Sequence, residues 1–174
     1  GCSNTGIMFG LFNRERSRPL GASQWLPPTR GAAEFACSAL GKSPESWRGV
    51  LSLSRLVVDP IVPSNGASFL IGLSIRRLLD LKPECHTLVT YADESQGHTG
   101  AIYLATNWLA AGKTLPAPLW IDNCGRQVAR KATRTRTNGE MRALGYTVKG
   151  TYQKARFLLD VSGRSRRSRS EQLE

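Results

Sequence analysis

Apolar residues come along the chain in runs of four to eight, broken by Gly and Pro, and no run approaches the ~20 residues of a membrane span. The first run, Ile7-Met8-Phe9-Gly10-Leu11-Phe12, is followed by a polar turn at 13–18 and by Leu20-Gly21-Ala22-Ser23-Gln24-Trp25. This pattern predicts a hairpin over 5–25, closed by Pro27-Pro28. Residues 29–47 mix Gly, Pro and Ser around a short apolar piece at 35–40, and predict a short helix or loop excursion over a sheet. Residues 50–58 alternate and then run apolar, as a central strand does, and stop at Asp59-Pro60.

Turn and cap chemistry at Pro63-Ser64-Asn65-Gly66 then precedes Phe69, Leu70, Leu73, Leu78 and Leu81 at helical spacing, with Arg76 and Arg77 outward. Pro83 ends this helix, and 86–91 is a β-branched and aromatic run that returns as a neighbouring strand. A strand-loop-helix-strand crossover of this size implies parallel pairing. A second helix is predicted over 100–111, with Gly112 at its C-terminus. Further on, 119–121 reads as a short strand, 156–161 as a last strand, and 162–174 as a disordered Ser/Arg-rich tail. The expected class is α/β (α+β): one domain over 1–161, a central mixed, mostly antiparallel sheet with one parallel strand pair, flanked by helices.

Charge adds a partner to this picture. Twenty-four Lys and Arg against thirteen Asp and Glu give a net charge of +11, which a polyanion such as double-stranded DNA explains most directly; solubility or an acidic protein partner is the bland alternative. The segment 126–136 concentrates Arg126, Arg130, Lys131, Arg134 and Arg136 without an acid, and is expected to contact phosphates within a wider basic stretch at 126–156. Cys2, Cys37, Cys85 and Cys124 are far apart, and His86 and His98 are the only histidines, so no zinc spacing is found and no metal site is predicted. Reduced thiols and a cytoplasmic location are expected. The chain opens on Gly1 without an initiator Met, which leaves an upstream start open, and a homodimer is equally open.

The order hairpin, central strand, loop, helix, parallel strand, helix, final strand resembles the GNAT acyltransferase fold, where the helix after the central strand points at a pyrophosphate. The usual Gln or Arg followed by spaced glycines is replaced here by Val62-Pro63-Ser64-Asn65-Gly66-Ala67-Ser68. Three segments, Leu53-Ser54-Arg55-Leu56-Val57-Val58, then Asn65 to Ser68, then Tyr91-Ala92-Asp93 through Gly97-His98-Thr99-Gly100-Ala101-Ile102-Tyr103 to Ala105-Thr106-Asn107-Trp108, together resemble the Mom family of phage DNA-modifying proteins. That resemblance implies conversion of adenine in phage DNA to an N6-carbamoylmethyl form, which shields it from restriction. The donor stays open between acyl-CoA, an aminoacyl carrier and another metabolite. A general GNAT N-acyltransferase acting on a protein or small amine, and a non-enzymatic DNA-binding relative, are the competing functions.

Several residues carry candidate chemistry. Arg55, inside an apolar strand, would anchor an anionic or carbonyl group, or form a buried pair with Asp93. Ser68, with Asn65 beside it, stands where the N-terminus of a helix favours an anion, although both are equally suited to capping. Asp93, after a strand and before a glycine-containing loop, is the candidate general base; capping the following turn is its ordinary alternative. His98 could bind substrate or move protons near neutral pH. Tyr103 resembles the GNAT tyrosine that protonates a leaving thiolate, and otherwise fills the core beside Trp108. Asn107 is expected one helical turn further on the same face. Trp25, Trp47 or Trp120 could stack on a flipped base.

Overall fold

Strand β1 (Ile7–Phe12) pairs antiparallel with β2 (Pro19–Leu26), so the predicted hairpin is present, with Ile7 opposite Trp25 and Gly10 opposite Ala22. Its turn is tied by Asn13, whose side chain accepts from Ser17 N and donates to Ser17 Oγ. These elements come from a computed structural model, which describes residues 6–15, 17–129, 133 and 135–163. The expectations for Cys2, Arg130, Lys131, Arg134 and the tail from Arg164 onward lie outside the described residues.

After β2 come α1 (Arg30–Ala39), a 3-10 turn at Pro44–Gly49, and β3 (Val50–Val58), which pairs antiparallel with β2. Helix α2 (Gly66–Leu81) leads to β4 (Thr87–Asp93), which lies parallel to β3 with Val50 opposite Thr87. A one-turn helix α3 (Ala101–Leu104), then β5 (Leu109–Lys113), β6 (Ala117–Ile121), α4 (Asn138–Ala143), β7 (Thr147–Tyr152) and β8 (Lys154–Asp160) complete the order. The main sheet runs β1-β2-β3-β4-β8-β5, and β6 pairs with β7 in a separate two-stranded sheet. The predicted class, a mostly antiparallel sheet with one parallel pair and flanking helices, is the one observed.

The described residues fall into two compact units, one within Gly1–Tyr91, Gly100–Gly112 and Arg156–Glu174, the other within Ala92–Thr99 and Lys113–Ala155. In the first, Ala33, Ala36 and Cys37 of α1 pack on Val50, Val89 and Leu158. Strand β4 is buried residue after residue from Thr87 to Thr90, as a parallel strand covered on both faces should be. Lys42 closes this unit: its Nζ donates to His86 O at 2.8 Å, Asp160 Oδ1 at 2.8 Å and Ser162 Oγ at 2.7 Å, with Thr87 Oγ1 at 3.2 Å. In the second unit the antiparallel β6 and β7 carry the buried Trp120, and α4 contributes the buried Met141. Helix α4 starts on a capping box, Thr137 and Glu140 bonding each other's backbone N–H.

Two expectations need correcting. The inward stripe of α2 is Leu70, Ile71, Ser74, Ile75, Leu78 and Leu79, while Phe69 is 54% and Leu81 60% exposed. The stripe passes through a serine, whose hydroxyl donates to Ile71 O, so hydrophobicity alone misplaced it. The helix predicted over 100–111 stops after one turn, and 109–113 is strand. Asn107 holds φ of 65°, with Trp108 N donating to Tyr103 O and Asn107 N to Leu104 O. That is a Schellman ending with Asn at the left-handed position, which the sequence reading assigned to Gly112.

Candidate functional site

In the first unit, the loop from β3 to α2 is held by its own backbone. Asp59 Oδ1 accepts from Ile61 N, and Gly66 N donates to Pro63 O at 2.7 Å. Gly66 is buried because a Cβ there would stand 2.1 Å from Val62 Cγ1. Asn65 makes no side-chain cap; instead its carbonyl accepts from Phe69 N at 2.9 Å and from the Ser68 hydroxyl at 2.8 Å. Ser68 Oγ is therefore engaged in the loop, leaving its oxygen lone pairs for any ligand.

Arg55 is exposed, and this overturns the reasoning from burial: Ser54 is an extra residue between Leu53, opposite Trp25, and Arg55, opposite Gln24, so alternation breaks there and Ser54 and Arg55 both reach solvent. It stands opposite Gln24 of β2. Tyr103 is half-buried, its ring centroid 5.8 Å from Trp108 and 5.2 Å from Phe157. Asn107 is exposed and shapes the backbone as the left-handed cap, so it does not continue a helical face with Tyr103. Trp25 is 1% and Trp120 4% exposed, which makes both core residues and removes them as base-stacking candidates; Trp47 is half-buried, flanked by the Arg30 and Arg48 guanidinium groups.

In the second unit, Asp93 ends β4 and caps the 3-10 turn Glu94–Gln96 by accepting from Ser95 N at 3.1 Å and Ser95 Oγ at 2.7 Å. Its other oxygen pairs with Lys154 Nζ at 2.5 Å. Partial burial pushes the carboxyl up, but the Lys154 and Ser95 contacts outweigh it and hold Asp93 below the usual carboxylate range. The turn then reverses through Gly97, at φ of 72°, so that His98 N reaches Asp93 O at 3.2 Å. His98 itself is exposed. Beside them Lys113 Nζ meets Glu94 Oε1 at 2.5 Å.

Of the basic set, Arg126 is neutralised locally: its Nε lies 3.0 Å from Asp122 Oδ2, and its N–H donates to Asp122 Oδ1. The acid lies four residues upstream of the arginine, outside the window that had read as acid-free. Arg136 is exposed near Glu140, and Arg142 and Lys149 are exposed as well. Two residues of the basic stretch 126–156 have partners inside the fold. Lys154 is the counter-charge of Asp93. Arg156 lies over the Phe35 ring at 3.7 Å, its Nε buried without a hydrogen-bond partner. Among the described residues no three His, Cys, Asp or Glu side chains gather as a metal site requires, and no helix is long and apolar enough to cross a membrane.

The model of the Mom protein family matches residues 2–159. The chain belongs to the Mom family. No curated protein sequence matches it. Solved structures place this Mom family member in a GNAT-like fold. A putative acetyltransferase from Acinetobacter baylyi ADP1 is similar at a TM-score of 0.52 with 12% identity, over 91% of this chain and 64% of that one. Ribosomal-protein-S5-alanine acetyltransferase from Vibrio fischeri has a TM-score of 0.52 and 7% identity, over 92% and 64%. A Bacillus subtilis acetyltransferase in complex with CoA has a TM-score of 0.51 and 10% identity, over 90% and 77%. The chain thus spans 64% of the length of the first two. At these identities the likeness concerns fold alone.

Proposed function

We propose that this protein is a transferase that modifies the N6 amino group of adenine in double-stranded DNA with a carbamoylmethyl-type group, protecting phage DNA from restriction in the host cytoplasm. The observation that carries this reading is the family match over 2–159; the net charge of +11 supports the nucleic acid as acceptor.

Adenine N6 is a weak nucleophile because its lone pair is delocalised into the ring. Asp93 is the proposed base, taking the N6 proton as the new N–C bond forms. Its depressed pKa keeps it ionised at neutral pH but also makes it a weak acceptor, so Lys154 must loosen or be drawn off during the reaction. Tyr103 is proposed to return a proton to the leaving group. Ser68, Asn65, Arg55, His98 and Asn107 are proposed donor or substrate contacts, and Arg126 and Arg136, with Arg130, Lys131 and Arg134, contacts to phosphate. Residues 62–68 do not fit the spaced-glycine pyrophosphate cradle, since Gly66 is occupied in packing against Val62. No step is therefore routed through CoA. Direct transfer needs a donor whose methylene carbon bears the leaving group, because acyl transfer to N6 would leave an amide; an aminoacyl group joined first through its carbonyl would have to rearrange afterwards to the isomeric carbamoylmethyl form.

Mass spectrometry of nucleosides from DNA of cells expressing the chain tests the reading. An adenosine adduct that disappears with Asp93→Asn is expected; unmodified adenosine with the wild-type chain overturns it. A second reading, N-acetylation of a protein or small amine, draws on the acetyltransferase fold and predicts instead that acetyl-CoA is consumed with an amine and without DNA.

A further inference from the structure

On the sheet face that α1 covers, Val89 of β4 and Leu158 of β8 belong to the buried cluster of the first unit. Side chains two residues apart on a strand share a face, and two residues from these Tyr91 and Arg156 stand half-buried at the edge of the cluster. Phe35 of α1, 40% exposed, lies against them: the Arg156 guanidinium carbon is 3.7 Å from the Phe35 ring centroid and 5.8 Å from that of Tyr91. No carboxylate pairs with Arg156 among the described residues. Asp93, the acid next after Tyr91 on β4, is already paired with Lys154. The cost of a partly buried guanidinium without a counter-charge, which exposure removes from Arg55, therefore falls on Arg156.

The Arg156 Nε is buried without a hydrogen-bond partner and is closed to any ligand. Its two Nη groups are not sealed off in this way. Neither they nor the Tyr91 hydroxyl has a hydrogen-bond partner among the described residues. Stacking on Phe35 fixes the guanidinium plane and leaves the Nη edge as a two-pronged donor, a geometry that phosphate oxygens match. The net charge of +11 gives the matching anion as a polyanion's phosphate.

We propose that Arg156 and Tyr91 hold one backbone phosphate of bound DNA. The Nη groups donate to its two non-bridging oxygens, and the Tyr91 hydroxyl donates to one of them. This contact rests on the DNA reading above and adds to it a built, half-buried phosphate site outside 126–136. A contact of this kind sets the register of the duplex and carries no sequence information.

Titration of a short labelled duplex at several salt concentrations tests the site. Arg156→Gln is expected to weaken binding roughly tenfold and to lower the slope of log affinity against log salt by about 1. Arg156→Lys is expected to keep the slope yet bind roughly three- to tenfold more weakly, because lysine supplies the charge without the fork or the stack. Tyr91→Phe keeps the packing and removes one donor, so binding roughly threefold weaker at an unchanged slope is expected. Wild-type affinity in both Arg156→Lys and Tyr91→Phe overturns the proposal, since only diffuse charge would then be read. Arg156→Gln binding like the wild type overturns it as well, as does a wild-type chain that does not bind the duplex. Should Arg156→Gln fail to fold by circular dichroism, the other two variants decide. An adenosine adduct together with unaltered binding by the variants sinks this contact alone; weakened binding by the variants with no adduct from the wild type sinks the modification reading alone.

Discussion

Lys42 with Asp160 and Lys154 with Asp93 are the same chemical pair in two regions, at 2.8 Å in the first unit and 2.5 Å in the second. In both, burial raises the carboxyl and the lysine and neighbouring hydroxyls more than reverse it. The difference lies in what else each lysine holds. Lys42 is 19% exposed and also donates to His86 O, Thr87 Oγ1 and Ser162 Oγ, so its three protons are fully used in joining the end of α1 to the start of β4 and the end of β8. Lys154 is 39% exposed and its ammonium meets Asp93. A lysine engaged by four acceptors is a staple; one that leans on a single carboxylate in partial contact with water can let go.

The largest break in this comparison is expected from Asp93→Asn. It keeps the shape and the Ser95 cap but removes the proposed proton acceptor, and should lower adduct formation about 10²- to 10⁴-fold in the nucleoside assay. Next comes Lys42→Met, which removes the Nζ bonds to the part-buried His86 O and Thr87 Oγ1 and to the exposed Asp160 and Ser162: a loss of about 1–2 kcal/mol in urea unfolding is expected, limited because His86 O, Thr87 Oγ1 and Asp160 Oδ1 each keep another partner. Equal losses for Lys42→Met and Lys154→Met would erase the distinction between staple and release.

The same pairs set an acid limit. Asp93 and Asp160 have folded pKa values below their unfolded ones, so their contribution is present above the unfolded carboxylate value, about 4, and is lost as pH falls through the folded values. Thermal melting should therefore be level from pH 7 to about 5 and fall below about 4, with the fall shallower in Asp160→Asn. The smallest effect concerns the basic face. With Arg136 as a phosphate contact, Arg136→Gln should reduce the slope of log affinity for duplex DNA against log salt by about 1.

The hairpin, β3, α2 and the parallel return of β4 were legible because alternation, helical spacing and Pro or Gly punctuation agreed there. The second unit was harder to read for a different reason in each part. Helix α4 carried both of its signals in the sequence, Thr137 with Glu140 at its start and Gly145 at its end, but six residues are too few for a hydrophobic period to draw the eye to them. The segment 101–108 mixes the good helix formers Ala101, Leu104 and Ala105 with the weaker Thr106, Asn107 and Trp108, and the left-handed turn at Asn107 ends the helix before β5. For the candidate site, the position of Asp93 at the end of a strand was legible; its pairing with Lys154 was not, since any lysine could close a pair across so many intervening residues. Arg55 failed as a buried charge because the extra residue at Ser54 breaks the alternation of β3.

The strand order of the main sheet leaves β1 at one margin and β5 at the other. Met8 is 64% and Phe12 49% exposed on β1, and Leu109 is 60% exposed on β5. Margins with exposed apolar side chains adhere to one another unless something keeps copies apart. Here the excess of positive charge serves as that colloidal barrier, and salt removes it: the screening distance shrinks from ~10 Å at 0.1 M to ~3 Å at 1 M. The concentrated salt used to strip a basic protein from nucleic acid would thus expose this chain to clumping at its margins, and a charged substitution such as Met8→Lys should keep it dispersed.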